Sequence, residues 1–154
     1  MMDEIIQVSM DEIENMMQRC FQKGAAFELT VTGSSMSPTL CHYRDSVWLV
    51  PPSVRPVKLR EILLYKRPDG SLVLHRLIHM KKDGTLLMNG DGQVETEEIH
   101  GNAVIAVAEK IQRKGNIFSC DATVYRSYVR LWSFTRPFRN ILVRVKKFFG
   151  RHSR

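Results

Sequence analysis

The sequence lacks any stretch of about 18 uncharged, mostly apolar residues, the length a helix needs to cross a bilayer. It also lacks a basic start: Asp3 and Glu4 stand where a secretory signal carries positive charge, so export is not expected. Cysteine is scarce. Cys20, Cys41 and Cys120 are odd in number, widely spaced and without a Cys-x-x-Cys pair, which argues against a zinc site and a disulfide framework and points to a reducing cytoplasm. His42, His79 and His100 have no ligand spacing with carboxylates or cysteines, so each reads as a surface or structural histidine. No metal or other cofactor is implied. Acidic residues are missing from one end altogether: beyond residue 121 there are nine basic side chains, among them Arg126, Arg130, Arg139, Arg144, Lys146 and Lys147, and no Asp or Glu.

That asymmetry decides what the formal net charge of +7 means. The first 121 residues hold 14 basic side chains against all 16 acidic ones, so the body is nearly neutral and only the tail is basic. A nucleic-acid interface spread over the body is therefore not expected. With 44% hydrophobic and 25% charged residues, 154 residues suffice for one domain with a buried core and short extensions.

Periodicity divides the chain into an N-terminal helical segment (1–24), a body (25–121) and a basic helical tail (122–154). Ser9 and Glu12 have capping-box spacing, and Ile13, Met16, Met17, Cys20 and Phe21 repeat at helical intervals, which predicts a helix over 9–23 that stops at Gly24. After it the pattern turns to strands, at 27–31 and 46–50. Asp69-Gly70 and Asp83-Gly84 each lie between apolar runs and predict hairpins, giving a meander of 61–67, 71–80 and 85–88. Further strands are predicted at 103–112 and 117–120, so the fold class is mostly β. Beyond Pro137, Ile141, Leu142, Val145, Phe148 and Phe149 share one helical face with Arg144, Lys146 and Lys147 around it.

The segment from Gly33 to Leu40 follows a predicted strand and carries too many turn-forming residues to extend it. Such a loop can present a serine hydroxyl and backbone N–H groups in one fixed arrangement, as a nucleophile with an oxyanion hole requires, although Gly, Ser and Pro are common in any loop. Its order, Gly33-Ser34-Ser35-Met36-Ser37-Pro38-Thr39-Leu40, resembles the nucleophile box of the signal peptidase I family and its relatives, the self-cleaving repressors. Asp45-Ser46-Val47 resembles the family's Asp-x-Val segment. Arg60-Glu61-Ile62-Leu63-Leu64-Tyr65 is similar to its Gly-Asp-Ile-Val strand but has Arg-Glu for Gly-Asp. Leu72 to Ile78 is similar to the branch that uses His in place of Lys, and Asn89-Gly90-Asp91 resembles its Gly-Asp segment.

The resemblance implies a coiled β-sheet forming a partial barrel, with Ser35 as nucleophile, His75 as general base and Asp91 as the carboxylate assisting the dyad. Imidazole, with an ordinary pKa of about 6.5, can take the serine proton near neutrality. In an extended strand Val73, His75 and Leu77 share one face, so His75 can project from a rigid sheet. Asp91 has two readings, a partner for the second imidazole nitrogen or an ordinary Asn-Gly-Asp-Gly turn. One of Glu95, Glu97 and Glu98 could serve as a second family carboxylate. The Ser35 N–H is the first oxyanion donor; the second is the Ser34 hydroxyl or a neighbouring amide, since Gly33 stands where many signal peptidases carry a hydroxyl.

The function so implied is a Ser-His serine endopeptidase that cleaves a peptide or precursor protein, such as a leader or signal peptide. Because the family's membrane segment ahead of the nucleophile is replaced here by a short amphipathic helix, a cytoplasmic enzyme with a dedicated peptide substrate is expected. The tail, through Arg139, Arg144, Lys146 and Lys147, either lies on the anionic inner face of a membrane or packs on protein. The alternative is an inactive peptidase-fold binding module that docks through that tail.

Overall fold

The computed structural model describes residues 9–141 and Val145. Helix α1, Met10–Gln22, starts where the sequence predicts: the Ser9 hydroxyl accepts the Glu12 N–H, and the Ser9 N–H donates to the Glu12 carboxylate. Its apolar side buries Met17 in the core.

Eight strands follow: β1 (Phe27–Thr30), β2 (Ser46–Val50), β3 (Ile62–Lys66), β4 (Leu72–Met80), β5 (Thr85–Asn89), β6 (Glu97–His100), β7 (Val104–Arg113) and β8 (Asn116–Ser119). They form one antiparallel sheet in the order β1-β2-β7-β3-β4-β5-β6, with β8 pairing the far end of β7. The β3–β4 and β4–β5 turns are the two Asp-Gly sites. At each, Gly70 or Gly84 takes a positive φ, and the preceding Asp side chain accepts the N–H of Ser71 or Thr85.

The sheet buries both faces in its middle. Ile62 and Leu64 of β3 join Met17, Met36, Leu40, Leu49, Ala108 and Ile111 in one core, while Leu63 and Tyr65 join Leu77, Leu86, Met88 and Val107 in the other. Strands β3 and β6 are three positions apart, about 14 Å if the sheet were flat. The Tyr65 hydroxyl nonetheless reaches Glu97 at 2.8 Å, so the sheet curls into a half-barrel around the second core.

Helix α2, Thr123–Phe134, closes the first core with Tyr125 and Val129. Residues 136–141 are helical as well. Of the tail's expected helical face and cations, Leu142, Arg144, Lys146, Lys147, Phe148 and Phe149 lie outside the described residues. Among the described residues, no helix is long and apolar enough to cross a membrane.

Candidate active site

The loop after β1 is wound tight by its own backbone. The Ser37 N–H donates to the Ser34 carbonyl at 3.0 Å and the Leu40 N–H to the Met36 carbonyl at 2.9 Å, while Met36, Thr39 and Leu40 are buried beneath. At its entrance Gly33 takes φ 85, and its N–H donates to Nδ1 of His42, which gives that histidine a structural role. At its exit buried Asp45 accepts the Cys41 and Lys114 N–H groups and the Arg44 guanidinium. Burial pushes the Asp45 carboxyl up, but those donors prevail and hold it below the ordinary carboxylate range.

The loop leaves Ser35 half-buried at the wall of a cleft of about 310 Å³ that Thr30–Thr32 and Leu72–His75 of β4 also line. His75 lines the same cleft. Among the described residues the Ser35 hydroxyl makes no protein hydrogen bond, and Ser35 and His75 do not bond each other directly. The Ser35 N–H likewise has no protein acceptor there. Ser34 is exposed beside it, and among the described residues its hydroxyl has no protein partner, so neither expected oxyanion donor is tied up by them.

His75 is held by a chain of groups from three strands. Its Nδ1 lies 3.1 Å from the Tyr65 hydroxyl, which lies 2.8 Å from the Glu97 carboxylate, and Glu97 is gripped by both Nε and Nη2 of Arg67 at 2.7 Å. Arg67 first, then Tyr65, hold Glu97 below its ordinary pKa, so it is a carboxylate and can only accept. Burial and then the Glu97 contact raise the Tyr65 hydroxyl well above its usual value, so it keeps its proton and donates it to Glu97. The tyrosine oxygen must then accept from Nδ1–H. Nε2 is left as the lone-pair nitrogen, without a protein partner among the described residues. Burial lowers the His75 pKa below 6.5, opposed by the Glu97 charge, so near neutrality the imidazole is uncharged.

Asp91 does not meet the imidazole. Both its oxygens are taken by Arg76, Oδ1 by Nε at 2.8 Å and Oδ2 by Nη2 at 2.7 Å, in a fully buried bidentate pair. Arg76 follows His75 in β4, and consecutive strand residues face opposite sides, so Asp91 sits behind the strand from which His75 projects. The expected hydrogen bond between Asp91 and the imidazole is therefore not made: Asp91 acts on His75 only through its charge, and the carboxylate linked to His75 by hydrogen bonds is Glu97, through Tyr65.

Asp91 instead fixes the 89–92 loop against the Ser35 loop. The Gly92 N–H donates to the Ser35 carbonyl at 2.9 Å. A Cβ on Gly90 would collide with that same carbonyl, and one on Gly92 would stand 2.6 Å from the Ser37 carbonyl. Arg139, expected among membrane-facing cations, turns inward, donating to the Asp91 carbonyl at 2.7 Å and stacking 3.7 Å from the Trp132 ring centre. Of the other expected site residues, Glu98 is exposed on β6, as are His79 and His100 on their strands.

Tyr65 and Arg67 escaped the sequence reading as site residues. The signal for Tyr65 was present: with Leu63 opposite His75 and Tyr65 opposite Val73, Tyr65 and His75 lie diagonally on one face of a tight hairpin. Comparison with known proteins assigns no relative: no protein-family model matches this sequence, and no curated protein matches it.

Proposed function

We propose that this protein is a serine endopeptidase with a signal-peptidase-like β core, in which Ser35 is the nucleophile and His75 the general base. One observation carries the reading: side chains forty positions apart line one cleft, and the imidazole nitrogen not tied to Tyr65 is the one with a free lone pair. In the reaction His75 Nε2 takes the Ser35 proton as the hydroxyl oxygen attacks the scissile carbonyl carbon. The resulting oxyanion is met by the Ser35 N–H and a second donor, the Ser34 hydroxyl or a neighbouring amide. The imidazolium then protonates the leaving amine, and His75 activates the water that hydrolyses the Ser35 ester.

The positive charge that appears on His75 in these steps stays on the imidazolium and is stabilised through the Tyr65 hydroxyl and the Glu97 carboxylate, which remains ionised beside Arg67. The substrate is an extended peptide. On the side of β4 that faces β5, pairing begins only at Arg76, so the backbone of Leu72–His75 has an open edge along the cleft where a peptide can add as a strand. A leader or signal peptide of a precursor protein, cleaved in the cytoplasm, fits this use.

A serine-directed acylating probe tests the assignment. The intact protein is expected to be labelled at Ser35, whereas Ser35→Ala and His75→Ala, with unchanged circular dichroism, are not. An intact protein that resists the probe while retaining the fold would make this chain a binding module instead.

A further inference from the structure

The C-terminal helical arm carries an apolar stripe that neither core absorbs. Leu131, Phe134, Phe138, Ile141 and Val145 are all exposed, Phe134 to 74% and Phe138 to 63%, and Val124 continues the line one heptad earlier. Their spacing alternates three and four residues, which keeps them on one side of a helix. The helical path does not break between α2 and residues 136–141. Thr135 has helical angles, its N–H donates to the Leu131 carbonyl, and the Arg139 N–H donates to the Thr135 carbonyl, both at 3.1 Å.

The stripe cannot turn inward. The opposite side of the arm is committed to the domain through buried Tyr125 and Val129 and through Arg139, whose guanidinium bonds the Asp91 carbonyl. A contiguous apolar face held outward in this way is an interaction surface rather than a scatter of single exposed side chains.

Its surroundings identify the occupant. Arg126 and Arg130 flank the stripe on α2 and, with Lys58 and Arg60, rim a recess of about 90 Å³ beside it. The one carboxylate lining that recess, Glu61, is paired with Arg55 at 3.0 Å. Three-four spacing can also form the seam of a coiled coil, but a second copy would bring like charges together, because no Asp or Glu occurs from residue 122 onward to pair across it. Nucleic acid would satisfy the cations and leave Leu131, Phe134, Phe138 and Ile141 in water. A surface that is both anionic and apolar satisfies both.

We propose that this arm docks on an anionic lipid surface, with the Leu131–Val145 stripe entering the headgroup boundary and Arg126, Arg130, Lys58 and Arg60 meeting lipid phosphates. The proposal is independent of the peptidase reading, since it concerns binding alone. If both hold, the Arg139–Asp91 link ties the arm to the loop behind Ser35, so the docked arm carries the cleft with it.

Cosedimentation of the full chain with phosphatidylcholine vesicles, with and without added phosphatidylglycerol, tests it. Binding is expected to require the anionic lipid and to weaken in high salt. Phe134→Ser/Phe138→Ser and, separately, Arg126→Gln/Arg130→Gln should each weaken it about tenfold or more, with unchanged thermal melting. Three results would overturn it: no binding to anionic vesicles, binding indifferent to the Phe134/Phe138 change, or a dimer in analytical ultracentrifugation that this change abolishes.

Discussion

The Tyr65 hydroxyl lies 3.1 Å from His75 Nδ1, and this contact decides which imidazole nitrogen holds a proton. Because the tyrosine O–H donates its hydrogen bond to Glu97, its oxygen can only accept from His75, so Nε2 keeps the lone pair that the proposed reaction needs. Tyr65→Phe removes that acceptor and keeps the ring in the core. A hydrogen bond to a group that becomes charged is worth about 1.5–3 kcal/mol, so kcat is expected to fall roughly ten- to a hundredfold with KM little changed. Steady-state kinetics on a cleavable peptide checks this; wild-type kcat in Tyr65→Phe would remove the relay from the mechanism.

Burial and the charges around His75 set the pH dependence of the proposed reaction. His75 must be neutral to act, and burial places its pKa below 6.5 while the Glu97 charge opposes the shift. Activity therefore rises with pH through a value under 6.5 and is level above it. Glu97→Gln removes the charge that favours the imidazolium and leaves Arg67 unpaired nearby, so the acid limb should move to lower pH. A limb that stays in place or moves upward would mean that Glu97 does not act on the base.

Asp91 predicts a loss of a different kind. Removing one partner of a buried ion pair leaves the other charge uncompensated at a cost of about 3–5 kcal/mol. Asp91→Ala should therefore melt well below Ser35→Ala, which removes only a half-buried hydroxyl. Chemical denaturation of both variants makes the comparison. Equal midpoints would contradict the role given to the Arg76–Asp91 pair.

These distinctions show where sequence patterns reach and where they stop. Helix α1 was legible because Ser9 and Glu12 cap it locally, and the meander because Asp-Gly turns set its hairpins. Strand β6 was not, because Glu97-Glu98-Ile99-His100 has one apolar residue, Ile99, and owes its conformation to pairing with β5. The boxes singled out Ser35 and His75, and the fold brings both to one cleft, yet the partner of His75 depends on curl that returns β6 over β3, and no local pattern encodes that. Asp91 misled for the complementary reason. Its box places it near the dyad, while the strand alternation that assigns it to Arg76 shows only once β4 is in register.

The glycines of the 89–92 loop bind this last point to the chemistry. Neither Gly90 nor Gly92 has a positive φ, so what each supplies is space, taken up by the carbonyls of Ser35 and Ser37. Those are backbone atoms and cannot swing aside as a side-chain tip would. In Gly92→Ala the new methyl, 2.6 Å from the Ser37 carbonyl, must push the two loops apart and stretch the bond from the Gly92 N–H to the Ser35 carbonyl. Overpacking of this kind costs about 1–3 kcal/mol, which the fold can survive. A nucleophile displaced by about 1 Å loses on the order of a hundredfold in rate, so acylation of Ser35 should suffer far more than stability does. Gly101→Ala is the matched control, since its added Cβ meets nothing within 4 Å and its φ is not positive. Rates of probe labelling in the two variants, set against their melting temperatures, separate the outcomes. If Gly92→Ala labels as fast as Gly101→Ala, the close approach of the two loops does not position Ser35.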